Sequence, residues 1–409
     1  MEQLELIATA AFGLEAVVAR ELEKLGYAKQ KVEDGRVTFV ADVEGIARAN
    51  LWLRSADRVL LEVGDFVARD FGELFDGIRA IPWPEWLAAD AAFPVRGKAV
   101  RSQLMSVRDC QSITKKAIVE SMNERHARDW FDESGAEYQV DVSILKDRVT
   151  VALDTSGSGL HKRGYRTRGG VAPLRETLAA ALVQLSYWNA DRPFVDPFCG
   201  SGTIAVEAAL LGRDMAPGMR RSFAAEQWPQ VPAEAWTRAR EEASDRLRPP
   251  TVHLLHGSDL DDRALDQARY HAAQAGVGED IHFQRMDVAE LRSKRSYGCV
   301  ITNPPYGERL GDREQAEDLY RRLAAAIEPL DTWSTYVLAS HPRFEQVFGR
   351  RATRRRKLYN GRIECTYYQY AGPRPPRRRP TPTAALAASK PSPGSRGDAT
   401  REGIDGKGE

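Results

Sequence analysis

The sequence predicts an α/β protein in which a mostly parallel, doubly wound sheet in the C-terminal half follows two smaller α+β modules. Three observations carry this. Residues 3–65 run strand, helix, strand, strand, helix, strand. Between residues 171 and 370 short apolar strands alternate with helical periodicities, and the strands end in turns rich in Gly, Asp, Asn or Pro. Between these regions a second strand-and-helix pattern fills residues 70–155.

In the first module, residues 3–10 (QLELIATA) are partly alternating and strand-like. Leu14, Val17, Val18, Leu22 and Leu25 then keep helical spacing until Gly26. Lys29 to Glu33 and Arg36 to Val40 flank Asp34-Gly35, which predicts a hairpin with a type I′ turn. A helix through Ile46 and Leu51 and an apolar strand at Arg58 to Val63 complete a ferredoxin-like order, assigned to residues 1–65. The second module, 66–158, is expected to have helices at Phe71 to Ile78 and Asp109 to Arg125. Its strands are expected at Lys98 to Arg101, Tyr138 to Leu145 and Val149 to Leu153, with a turn at Lys146-Asp147. A Gly/Ser joint, SGSGLHKRGYRTRGG, opens the third and largest unit, 159–370. From 371 to 409 the chain is Pro, Arg and Ser rich, the composition of a disordered tail.

Composition fits this plan. The 409 residues suffice for two or three domains, and 42% hydrophobic with 29% charged residues is the balance of a folded chain. Lys and Arg total 59 against 58 Asp and Glu, which argues against a polycationic nucleic-acid coat but leaves local patches open. Cys110, Cys199, Cys299 and Cys365 form no Cys-x-x-Cys pair, so neither a zinc knuckle nor a redox dithiol is expected, and a reducing cytoplasm is the simplest location. The acidic N-terminus and the lack of any 18-residue apolar window speak against secretion and membrane spanning. His253 and His256 fall on opposite faces of an expected strand, Val252 to His256, and no metal site is expected.

The chemistry lies at the strand ends of the third unit. A helix (Leu174 to Tyr187) precedes the strand Phe194 to Asp196, which enters Pro197-Phe198-Cys199-Gly200-Ser201-Gly202-Thr203 and a helix from Ile204 to Leu211. Gly200 and Gly202 allow a ligand to approach the backbone at a helix N-terminus, while the Walker lysine and the Gly-x-Gly-x-x-Gly pattern are both absent. A plain structural turn is the alternative. The next strand closes with Gly257-Ser258-Asp259 ahead of helix Asp262 to Ala275, a position suited to binding ribose hydroxyls. Asp287, after strand Ile281 to Gln284, is placed to accept from an adenine amine; either acid alone reads first as a helix cap, and it is their regular placement after successive strands that favours a ligand. The strand Tyr297 to Thr302 ends in Asn303-Pro304-Pro305-Tyr306. Two prolines make this turn stiff. An exocyclic base amine is a poor nucleophile, and the Asn303 side-chain oxygen and Pro304 carbonyl can accept its two protons while Tyr306 stacks on the base. A simple turn is the competing reading.

Asp196 to Thr203, Gly257 to Asp261, Asp287 and Thr302 to Gly311 resemble the motifs of class I S-adenosylmethionine-dependent methyltransferases that act on amino groups. With His161 to Arg166, Ala172 to Thr177 and the Leu358-Tyr359-Asn360-Gly361 hairpin, the chain resembles the THUMP-domain RNA methyltransferases. The match is to the bacterial guanine-N2 type acting on large-subunit 23S rRNA. This implies a Rossmann-like domain, its mostly parallel sheet closed by an antiparallel C-terminal hairpin, behind ferredoxin-like and THUMP modules. It further implies S-adenosyl-L-methionine as cofactor. Asp196, Cys199, Gly200 and Gly202 would line its methionine part, with Pro173 and Thr203 in the same site. Asp259 would hold its ribose and Asp287 its adenine. Asn303, Pro304 and Tyr306 would hold the target base, with Asn303 also bordering the cofactor.

RNA is the implied partner. Lys162, Arg163, Tyr165, Arg166 and Arg168 at the joint form an expected RNA-contacting patch. A second basic run, Arg350 to Lys357, reads either as another such stripe or as a solvated strand face. The alternatives are a tRNA guanine-N2 methyltransferase, an adenine methylase of DNA or RNA, and a non-catalytic RNA-binding assembly factor.

Overall fold

In the computed structural model, which describes residues 3–126, 131–167, 174–250, 254–307 and 312–376, two seven-stranded sheets organise the chain. The first begins as expected, with β1 (Leu4–Ala10), α1 (Glu15–Lys24), β2 (Gln30–Glu33), β3 (Arg36–Ala41), α2 (Val43–Trp52) and β4 (Ala56–Val67). Asp42 caps α2 by accepting from the Gly45 amide at 3.0 Å. The β2–β3 turn differs from its expected type. Only Gly35 has positive φ (+76°), whereas a type I′ turn needs it at both central residues.

The second module adds α3 (Phe71–Arg79), α4 (Trp83–Trp86), β5 (Val95–Val100), α5 (Val107–His126), β6 (Val140–Leu145) and β7 (Arg148–Asp154). It does not form a sheet of its own. β4 runs to Val67, four residues beyond its expected end, and pairs with β1 over its first half and with β7 over its second. The order is therefore β2-β3-β1-β4-β7-β6-β5. The type I′ geometry appears at Lys146-Asp147, with φ of +52° and +65°. There the Asp147 carboxylate accepts from Ser102 Oγ and the Gln103 amide, both at 2.8 Å.

The second sheet is built from α6 (Glu176–Gln184), β8 (Phe194–Asp196), α7 (Thr203–Gly212), α8 (Ala233–Asp245), β9 (Leu255–Asp259), α9 (Asp262–Ala275), β10 (Ile281–Arg285), β11 (Cys299–Thr302), α10 (Asp312–Ile327), β12 (Ser334–Ala339), α11 (Phe344–Phe348), β13 (Arg354–Asn360) and β14 (Ile363–Tyr370). The strand order is β10-β9-β8-β11-β12-β14-β13, parallel except where β14 runs antiparallel to β12 and β13. The order reverses between β8 and β11, which opens a crevice beyond their carboxyl ends. β9 lies three residues later than its apolar run suggested, because pairing sets its register: Phe194 opposes Leu255 and Asp196 opposes Gly257. His253 falls outside the described residues, so the expectation for the two histidines rests there. His256 lies in β9 opposite His282. The proposed tail is likewise outside the described residues beyond 376.

Candidate active site

The crevice is floored by the loop after β8. Gly200 and Gly202 take φ of +49° and +79°. A Cβ on Gly202 would lie 2.9 Å from that of Ala268 and 3.0 Å from Phe283 Cζ, so this glycine lets α9 and β10 close on the loop. A Cβ on Gly200 would meet nothing within 4 Å. The Gly200 amide donates to Asp259 Oδ2 at 2.9 Å, and Asp259 Oδ1 accepts from the Asp261 amide at 3.0 Å. It is Asp261, not Asp259, that caps α9. Asp287 does cap the short helical turn at Val288–Glu290, accepting from the Ala289 amide at 2.8 Å, and its other oxygen pairs with Arg322. These bonds, the amide foremost, hold its carboxyl below the usual range against some desolvation.

Asp196 lies deeper. It is 1% exposed and accepts from Thr302 Oγ1 at 2.6 Å and from the Phe198 amide at 3.2 Å. Burial pushes its pKa up to about 7 in spite of both hydrogen bonds. It therefore braces the ends of β8 and β11 against each other. After β11, Tyr306 Oη donates to Asn303 Oδ1 at 2.5 Å and accepts from Asn360 Nδ2 at 3.4 Å, while Tyr320 Oη donates to the Pro305 carbonyl at 2.8 Å. The turn is thus held from α10 and from the β13–β14 hairpin.

These elements enclose a cleft of about 600 Å³. Its wall includes Gly200, Asp259, Asp287, Asn303, Pro304 and Tyr306, together with apolar Phe198, Leu260 and Met286. Asp196, Cys199, Gly202 and Thr203 stand behind it, each buried or packed under neighbouring elements. Pro173 and Arg168 lie outside the described residues. Asn360, Tyr320 and Arg322 are not legible as site residues because nothing in their local sequence ties them to partners 15 to 54 positions away; only the tertiary fold does.

The joint segment corrects an expectation. Lys162 is exposed, but Arg163 and Tyr165 are 3% and 2% exposed and face inward. Arg163 donates to the Leu160 and Arg54 carbonyls and pairs with buried Glu207 at 3.4 Å, which also accepts from Tyr165 Oη at 3.1 Å. Arg166 pairs with Glu176 at 2.9 Å. Buried guanidinium and phenol groups with protein partners are struts rather than contacts for RNA phosphates. The run before β14 is a partnered strand face in part: Arg355 pairs with Glu345 and Lys357 with Glu364. All four cysteines are buried, and none forms a disulfide.

Comparisons with known proteins agree in extent with this architecture. The family description "RMKL-like, methyltransferase domain" matches residues 163–369, "RlmL ferredoxin-like domain" matches 5–60, and the THUMP domain matches 68–154. YpsC of Bacillus subtilis (strain 168), provisionally named an RNA methyltransferase, is 49% identical over 386 residues, covering 94% of this chain and all of that one. A Listeria monocytogenes structure titled as a predicted N6-adenine-specific DNA methylase is 50% identical with a TM-score of 0.87, over 91% of this chain and 97% of that one. SMU.472, a provisionally named methyltransferase solved with SAH, is 43% identical with a TM-score of 0.87, over 92% and 100% of the two chains.

Proposed function

The chain belongs to the RMKL-like methyltransferase family, in the form that carries an RlmL ferredoxin-like domain and a THUMP domain, and from that premise we propose that it methylates the exocyclic N2 of a guanosine in 23S rRNA. S-adenosyl-L-methionine is its methyl donor. The crevice fits that molecule: strand-end carboxylates at Asp259 and Asp287, an apolar wall from Leu260 and Met286, and an open backbone at Gly200. When bound, the cofactor supplies a methyl group on a positively charged sulfur.

The observation that carries the proposal is the stiff Asn303–Tyr306 turn facing this cleft, its amide oriented by a hydrogen-bond chain from Asn360 through Tyr306. In this reading Asn303 Oδ1 keeps Tyr306 on one lone pair and accepts one amine hydrogen on the other, while the Pro304 carbonyl accepts the second. The amine lone pair is thereby aimed along the line of attack. As the N–C bond forms and the C–S bond breaks, the nitrogen gains positive charge, which both oxygens stabilise, and it then loses one proton to water. Asp259 holds the cofactor ribose and Asp287 its adenine, each with lone pairs beyond those already engaged. The Tyr306 ring packs on the base. The THUMP domain and the RlmL-type module support RNA over DNA as substrate, and flipping costs least at an unpaired nucleotide.

The test is methyl transfer from labelled S-adenosylmethionine to unmodified large-subunit rRNA, small-subunit rRNA and tRNA in separate reactions, with nucleoside mass spectrometry. N2-methylguanosine from large-subunit RNA alone is the expected result. The same nucleoside from tRNA, or N6-methyladenosine from any RNA, would overturn the assignment of target.

A further inference from the structure

Beside the catalytic cleft lies a second cavity of about 430 Å³, bordered by Phe12, Asp57, Arg175, Leu178, Tyr359 and Asn360. Asn360 belongs to both walls, so the two spaces adjoin through the residue that orients Tyr306. Phe12 comes from the first module, at the tip of the loop between β1 and α1. It is 53% exposed.

That loop is fastened down. Gly13 takes φ of +88°, and a Cβ there would sit 2.8 Å from the Lys357 carbonyl, so the loop backbone lies directly on β13. Arg356 donates to the Gly13 carbonyl at 3.0 Å. Glu15 accepts from the Gly13 amide at 2.9 Å and from the Gly35 amide at 3.0 Å. A loop held this firmly presents a large apolar ring to solvent. Its ring and that of Tyr359 stand 6.0 Å apart at 76°, which makes an aromatic corner in which a flat heterocycle stacks on one face and meets the other ring edge-on. Lys357 already covers part of Tyr359 at 5.5 Å, which leaves Phe12 as the open stacking face. Arg175 is exposed and has no ion-pair partner among the described residues, while the Asp57 carboxylate accepts from Thr177 Oγ1 at 3.4 Å and offers further acceptors to a base edge.

We propose that this corner binds a second, neighbouring nucleotide of the substrate RNA, its base stacked on Phe12 against Tyr359 and its phosphate at Arg175. The site rests on the RNA-methyltransferase reading above and extends it. Aromatic stacking with one cation is a sequence-tolerant way to hold single-stranded RNA. Flipping the target leaves its neighbour unstacked, and the corner replaces the lost stacking. The N-terminal module would thus share directly in holding the strand at the reaction centre.

The probe is a short single-stranded RNA oligonucleotide labelled with fluorescein, titrated with the full chain in the presence of S-adenosylhomocysteine. Phe12→Leu and Tyr359→Leu are each expected to weaken binding by about tenfold, with Phe12→Trp retaining wild-type affinity. Arg175→Ala should reduce the slope of log affinity against log salt by about 0.7, the value of one lost phosphate contact on a single strand. S-adenosylhomocysteine affinity should stay unchanged in all four variants, which reports an intact fold. Undiminished, wild-type oligonucleotide affinity in both leucine variants, or no binding by the wild type, overturns the proposal and leaves a protein contact as the better occupant. A wild type that shows the expected binding pattern yet forms no N2-methylguanosine overturns the assignment of target and not the site.

Discussion

Asn303 and Asp196 show how differently two polar residues at adjacent strand ends act. Asn303 lines the cleft and its side-chain oxygen accepts from Tyr306, so in the proposed reaction Asn303→Ala should lower kcat by roughly 100- to 1000-fold, the usual cost of one oriented group at a reaction centre. Cofactor affinity should stay unchanged; single-turnover rates and calorimetric titration separate the two. Asp196 is buried and protonated up to about pH 7 in the folded protein, whereas in the unfolded chain it ionises near 4. Between those values the unfolded state binds fewer protons, so this group makes stability fall as pH rises from about 4 to about 7 and contributes no further slope above that. Asp196→Asn removes the slope while its oxygen can still accept from Thr302. Urea unfolding should therefore show the variant gaining on the wild type by a few kcal/mol more at pH 8 than at pH 4, at about 1.4 kcal/mol per pKa unit. A difference independent of pH would refute the buried proton.

Among elements, the joint segment and β4 are where local sequence misleads. Arg163, Tyr165 and Arg166 read as a basic-aromatic surface stripe, yet Glu207 on α7 and Glu176 on α6 turn them inward. Arg163→Ala leaves the Glu207 carboxylate without its cation in the interior and should cost about 3–5 kcal/mol in urea unfolding. Oligonucleotide affinity of the folded variant should be unchanged. Loss of RNA binding without loss of stability would restore the surface reading. α9, in contrast, begins and ends where the sequence places it, because its signals are local: Asp261 caps one end and Gly276 takes φ of +77° at the other. β9 and β4 were less legible, since strand limits depend on partners: β9 is set by β8 and β10, and β4 is prolonged by β7.

At the scale of the whole molecule, the segment between α7 and β9 belongs to the first sheet's core. Phe223, Trp228, Val231 and Trp236 pack with the N-terminal modules; Trp228 stacks on Tyr138 at 4.5 Å and donates to the Glu137 carbonyl at 3.0 Å. Arg48 on α2 pairs with Glu242 on α8 at 2.6 Å. Residues 159–370 produced alone would expose these aromatics, so they should aggregate or melt well below the full chain. A soluble fragment with the same melting temperature in a thermal scan would show the halves to be independent. The sequence by itself determined the element order of the first module, the glycine loop, the strand-end acids and the Asn-Pro-Pro-Tyr turn, because capping, turn chemistry and apolar period act over a few residues. Only the tertiary structure decided that the first two modules share one sheet, that Arg163 and Tyr165 are interior, and that Asn360 and Phe12 stand at the cleft and its neighbour. Those outcomes depend on which strand edge finds which partner, and on which buried charge finds its counter-ion, across spans of 40 to 340 residues that no local pattern records.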